Sequence, residues 1–143
     1  MKWAGPEGYW VSDDRSLLDV PRVHAWMSGE SYWAAGRPYE VMARSIEHSL
    51  AFGLYGPDGG QAGFARVVSD YATFAWLCDV FVDSAHRGRG LGVFLVETAT
   101  GHPGVRGVRQ LLMADPGRQL YRRMGFGPLI SPERWMERPG AAP

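Results

Sequence analysis

The chain has 143 residues, 45% of them hydrophobic and 21% charged, with 15 acidic and 15 basic side chains and a formal net charge of zero. A chain of this length buries a real core as one domain, and balanced charge gives no support to broad attraction for nucleic acid or membrane surfaces. No apolar run approaches a membrane span and Met1-Lys2-Trp3 does not open a signal peptide; the lone Cys78 excludes an internal disulfide and suits a cytoplasmic setting, and no His and Cys at ligand spacing point to a metal.

In chain order, residues 8–12 read as a first strand. A first helix follows residues 16–20, with Val23, Trp26 and Met27 at helical spacing and Gly29 as its stop. Residues 38–49 predict a second helix, opened by Pro38 and carrying Val41, Met42 and Ile46 on one side. Residues 50–55 alternate as a strand, residues 57–60 (Pro-Asp-Gly-Gly) make a hairpin turn, residues 64–69 pair back, and residues 73–82 return as a long central strand. A Gly-rich turn and a helix over about 90–100, a strand over 108–114, a helix over 117–124 and a last short strand near 135–137 complete the pattern. The domain is expected to end near residue 138, with 139–143 a disordered tail.

The run Arg87-Gly88-Arg89-Gly90-Leu91-Gly92 stands between the apolar Val80-Phe81-Val82 and an apolar helix. Strand, glycine turn and helix start aim unpaired backbone N–H groups at an anion, and glycine lets a phosphate approach without meeting a Cβ. No Lys follows the glycines as a P-loop needs, and the third glycine of a dinucleotide fingerprint is missing. A plain basic turn with capping glycines stays open, beside the pattern [QR]-x-x-G-x-[GA] formed by Arg87, Gly90 and Gly92.

That pattern resembles the acyl-CoA pyrophosphate loop of the GNAT superfamily of N-acetyltransferases. A second match lies downstream, where Leu120-Tyr121-Arg122-Arg123-Met124-Gly125-Phe126 follows a predicted strand, and Asp79 stands just ahead of Val80-Phe81-Val82 as an acid often does in the family. The resemblance covers roughly residues 60–127. It implies an α+β fold of order β-αα-βββ-α-β-α-β, a central mixed sheet flanked by helices, with acetyl-CoA as cosubstrate. In the family the strand before the loop and the strand after the helix run parallel and splay apart. The pantetheine arm then pairs with freed backbone, here that of Val80, Phe81 and Val82. Gly88, Arg89, Gly90, Leu91 and Gly92 would hold the pyrophosphate, with Arg87 adding charge.

Acetyl transfer needs a deprotonated amine, an N–H for the developing oxyanion and an acid for the leaving thiolate. By the resemblance Tyr121 is that acid, a phenol still protonated at neutral pH; a packing or hydrogen-bonding role against the cofactor is the alternative. Asp79 is the best-placed carboxylate for a base acting through water, or else an electrostatic element for a cationic acceptor. Cys78 precedes it where polyamine-acetylating relatives often carry a second acid, which weakens a polyamine assignment.

The segment between the first two helices and the middle strands set acceptor choice in this family. Tyr32, Trp33 and Arg37, with Phe74 and Trp76 as a floor, could line a pocket for an amino-acid-like or aromatic amine, Arg37 pairing a carboxylate; plain core packing of the aromatics is the alternative. The expected partner is a small-molecule amine, without nucleic acid, membrane or metal, and a homodimer stays open. A CoA-binding sensor or scaffold without turnover, or acetylation of a protein tail, are the competing functions.

Overall fold

The computed structural model describes residues 1–114 and 118–141. The chain divides into two compact units, Met1–Met113 and Ala114–Pro143. The first holds a six-stranded sheet in the order β1-β2-β3-β4-β5-β6. Its strands are β1 (Lys2–Ala4), β2 (Trp10–Ser12), β3 (Leu50–Tyr55), β4 (Gln61–Ser69), β5 (Phe74–Val82) and β6 (Arg109–Leu112), and its helices are α1 (Val20–Glu30), α2 (Tyr39–Glu47) and α3 (Leu91–Thr100). The second unit holds the short helix α4 (Arg118–Arg123). The expected mixed sheet is present: five strands pair antiparallel in series, and β5 and β6 pair parallel.

Apolar alternation sorts the two sheet faces. Ala51, Phe64 and Phe81 pack with Val23, Trp26 and Met27 of α1 and Met42 and Ile46 of α2 in one core cluster. Phe52 points the other way, its ring 5.7 Å from that of His102 just beyond α3. Asp19 caps α1, accepting from the Arg22 N–H at 3.1 Å, and Pro38 stands at the N-cap of α2. Burial of these faces, more than helix propensity, holds such short helices.

Two end elements differ from the sequence reading. The strand expected over 8–12 is shorter and is preceded by one the sequence reading did not contain: Pro6–Gly8 forms a 3-10 turn with Glu7 and Gly8 at positive φ, so β2 starts only at Trp10, and β1 pairs beside it. A three-residue edge strand has too short an alternation to be read from sequence. The strand expected near 135–137 is not formed; a 3-10 turn at Pro132–Arg134 precedes a stretch without regular structure. Prolines at 132 and 139 bracket that short apolar run, and Met136 is almost fully exposed. The helix expected over 117–124 begins at Arg118, Gly117 lying outside the described residues. The expected tail is without regular structure through residue 141, and 142–143 lie outside the described residues.

Candidate active site

Pairing of β5 with β6 runs from Phe74↔Arg109 to Leu77↔Leu112 and stops there, while β5 continues through Val82. The backbone of residues 78–82 thus extends past its parallel neighbour, and that edge can accept an extended ligand as a strand would. β5 then runs through a 3-10 turn, Ser84–His86, into the glycines. Gly88 and Gly90 sit at φ 78° and 75°, in the left-handed region that favours glycine. Gly90 is the N-cap of α3, and the first intrahelical bond runs from the Phe94 N–H to the Gly90 carbonyl. The preceding amides of the first turn face outward from the helix start, where an anion is favoured. A Cβ built on Gly88, Gly90 or Gly92 would meet no protein atom within 4 Å, so the space over the turn is open.

The arginines of the turn are held by the protein. Arg87 donates from Nε to the Val82 carbonyl at 2.8 Å and lies over the Phe81 ring. Arg89 faces Glu7 at 3.5 Å, an exposed pair of little energetic weight. His86 is half-buried, its Nδ1 2.7 Å from the hydroxyl of buried Tyr9, which ties the turn to the N-terminal segment.

A second constellation stands on the α1–α2 side. β5 carries a bulge: Ala65 pairs with Val80 but Val67 with Leu77, so Cys78 and Asp79 together oppose Arg66. Before the bulge, Ala75 and Leu77 line a small cleft with Thr100 and Val105 on the α3 side. After it, Phe81 joins the α1–α2 core. The bulge thus resets the alternation and turns Asp79 toward the α1–α2 connection. The Asp79 side chain is 2% exposed. Its Oδ2 accepts from Arg37 at 2.7 Å and from Arg66 Nε at 3.0 Å, and its Oδ1 accepts from Trp33 Nε1 at 3.0 Å.

The connection is itself anchored to α1. Ser31 Oγ donates to the Met27 carbonyl, Gly36 N–H to the Ser28 carbonyl, and His24 Nε2 lies 2.8 Å from the Arg37 carbonyl. Burial pushes the Asp79 carboxyl up, but the Arg37 hydrogen bond and the Arg66 and Arg37 charges outweigh it and hold it below its ordinary value. Burial pushes the neighbouring Cys78 thiol up, away from the thiolate a nucleophile needs.

The predicted acceptor residues therefore divide. Trp33 and Arg37 meet Asp79 directly, and Tyr32 stands edge-on to Trp33 with ring centroids 5.1 Å apart. Phe74 and Trp76 lie upstream on β5, Trp76 exposed at 42% and Phe74 half-buried. Arg66, absent from the sequence-based candidates, completes the constellation. Its signal was a charged residue inside the apolar strand Phe64-Ala65-Arg66-Val67-Val68, where a buried guanidinium demands a partner.

In the C-terminal unit, the Tyr121…Gly125-Phe126 motif is a helix cap. Gly125 N–H donates to the Arg122 carbonyl and Phe126 N–H to the Tyr121 carbonyl, with Gly125 at φ 93°. The rings of Tyr121 and Phe126 meet edge to face, the apolar contact that accompanies such a cap. Tyr121 is half-buried, and Arg122 and Arg123 are exposed.

A mixed sheet whose one parallel pair ends ahead of a glycine turn capping a helix is the arrangement that the acyl-CoA-loop resemblance leads one to expect. The profile of the acetyltransferase (GNAT) domain matches residues 49–128, more than half of the chain. A solved structure from Xanthomonas campestris pv. campestris, described as a GNAT-family acetyltransferase, is 44% identical with a TM-score of 0.90, covering 95% of this chain and 96% of that one. A Gibberella zeae protein named as an acetyltransferase is 30% identical over 82% of this chain and 78% of its own length. A Glycine max protein named as a histone acetyltransferase is 29% identical over 63% of this chain, which spans 45% of that protein. The chain belongs to the GNAT family of acetyltransferases. Among the described residues no helix is long and apolar enough to cross a membrane, and no group of His, Cys, Asp and Glu could hold a metal ion.

Proposed function

We propose that this enzyme moves the acetyl group of acetyl-CoA to the primary amine of a small amino-acid-like or aromatic acceptor, by direct attack in a ternary complex in the cytoplasm. The observation that carries the reading is the continuous path from the end of β5 that lies beyond its β6 pairing (residues 78–82) into the open glycine turn at the start of α3. The residues present fit acetyl-CoA, which supplies an activated thioester. The backbone of Val80, Phe81 and Val82 offers strand-like partners to its amides, and Gly88, Arg89, Gly90, Leu91 and Gly92 receive its pyrophosphate, with Arg87 bracing the strand end. The amine attacks as the free base and gives up its remaining proton to water as the amide forms; Tyr121 holds the proton for the departing thiolate, and a backbone N–H of β5 meets the charge that develops on the thioester oxygen. Tyr32, Trp33, Arg37, Phe74 and Trp76 face the acceptor.

The name of the Glycine max relative favours a second reading, a protein amine as acceptor. A thiol-release assay over amino acids, aromatic amines, polyamines and lysine peptides separates the two. Turnover confined to small amines supports the first reading, turnover confined to peptides supports the second, and saturable CoA binding without turnover on any amine marks a sensor or scaffold.

A further inference from the structure

Two guanidiniums meet one carboxylate at the bulge, leaving one positive charge in excess. Among the described residues, Asp79 is the carboxylate within salt-bridge distance of Arg37 or Arg66. Their side chains are 18% and 11% exposed, and a charge so far removed from water is costly without a counter-ion. Asp79 spends its acceptors on Arg37, Arg66 and Trp33. Arg66 directs Nη1 to Ser49 Oγ at 3.1 Å, and Arg37 directs Nη1 to Met42 Sδ as well as to Asp79. Each guanidinium brings five donors in a planar fork, more than these contacts use. Arg37 and Arg66 still keep 18% and 11% of their side chains exposed, beside Trp33 at 43%.

We propose that Arg66 and Arg37 together bind a carboxylate group of the acceptor, so that the substrate is an amine that also carries a carboxylate, and that Asp79 is a positioning residue holding both arginines and Trp33. The inference rests on the acetyl-transfer reading and narrows its acceptor class. A buried carboxylate already accepting three hydrogen bonds is poorly suited to take a proton from an incoming ammonium. It is well suited to fix two forks at the angle that receives a second carboxylate. The bulge is what makes this possible, since it brings Asp79 opposite Arg66 and toward Arg37 at once.

The test pairs amines that differ only by the carboxylate, phenylalanine with phenethylamine and histidine with histamine. Binding is read from intrinsic Trp fluorescence and turnover from thiol release. In the native protein the amino acid of each pair is expected to have a kcat/KM at least about tenfold above that of its decarboxylated partner. Arg66→Lys and Arg37→Lys keep the charge facing Asp79 but lose the fork. They are expected to raise KM for the amino acid about tenfold more than KM for its decarboxylated partner, with the KM of acetyl-CoA unchanged. Asp79→Asn is expected to raise the same KM without removing the acidic limb of the pH–rate profile. A native preference for the decarboxylated amines, equal losses on both members of a pair, or loss of that limb would overturn the proposal. If no amine is turned over, the acetyl-transfer reading fails on its own. The subsite is then decided by fluorescence: saturable quenching by the amino acid that Arg66→Lys weakens upholds it, and no quenching overturns it.

Discussion

Asp79 is the residue on which stability and chemistry meet. Removing its charge strands two guanidiniums in a dry site, so Asp79→Asn is expected to destabilise the fold by about 3 kcal/mol, read from urea unfolding. The pH dependence has a definite sign. The carboxyl is held below its ordinary value in the folded state, so its contribution is complete above about pH 4 and is lost as pH falls through the lower folded value. The Tm gap between native protein and Asp79→Asn should therefore be flat from about pH 5 to about pH 7 and close in stronger acid; a gap that closes near neutrality would contradict the ion-pair account. Tyr55 is the opposite case. Its hydroxyl is buried without a partner among the described residues, and burial, with the Asp14 charge behind it, pushes the phenol up to about 12. Tyr55→Phe deletes an unpaid desolvation and is expected to raise stability by about 1 kcal/mol in the same unfolding experiment. At this scale the sequence named Asp79, Trp33 and Arg37 but could not join them. Their meeting depends on a bulge that leaves no mark in local periodicity, and the same bulge hid Arg66.

The glycine turn and the helix cap can be tested as elements. Gly92 has a helical environment with open space where a Cβ would stand. Gly92→Ala should leave the fold as stable as before, or up to about 1 kcal/mol more so, because alanine favours the helix. If the pyrophosphate uses that space, CoA affinity in a calorimetric titration falls about tenfold or more, equivalent to about 1.4 kcal/mol; unchanged affinity would remove Gly92 from the site. Gly125 answers to a backbone demand instead. At φ 93° it closes α4, and Gly125→Ala should cost about 1 kcal/mol and speed amide exchange over residues 118–123. Elements with long alternation or clear caps (α1, α2, β3, β4, β5 and α3) were legible in the sequence to within a few residues. The ends were not. Glu7 and Gly8 take left-handed conformations that local composition does not announce, and Trp135-Met136-Glu137 has the pattern of a strand but forms none.

The whole molecule joins a strand, β5, that outruns its parallel partner β6 to a helix that starts on glycines, and the resemblance carried by Arg87, Gly90, Gly92 and Tyr121 made that order of elements readable from sequence. Family membership establishes an acetyltransferase; which amine it serves rests on the α1–α2 connection, the part that sequence patterns describe least because its contacts are tertiary. The most direct test of acetyl transfer itself is steady-state thiol release from acetyl-CoA with the best acceptor of the panel, run on the native chain and on Tyr121→Phe, with the acetylated amine counted by mass spectrometry. The account predicts one acetylated amine for each thiol released, and a kcat lowered by about tenfold or more when the phenolic proton is removed. Thiol release without acetylated amine, or full activity in Tyr121→Phe, would contradict it.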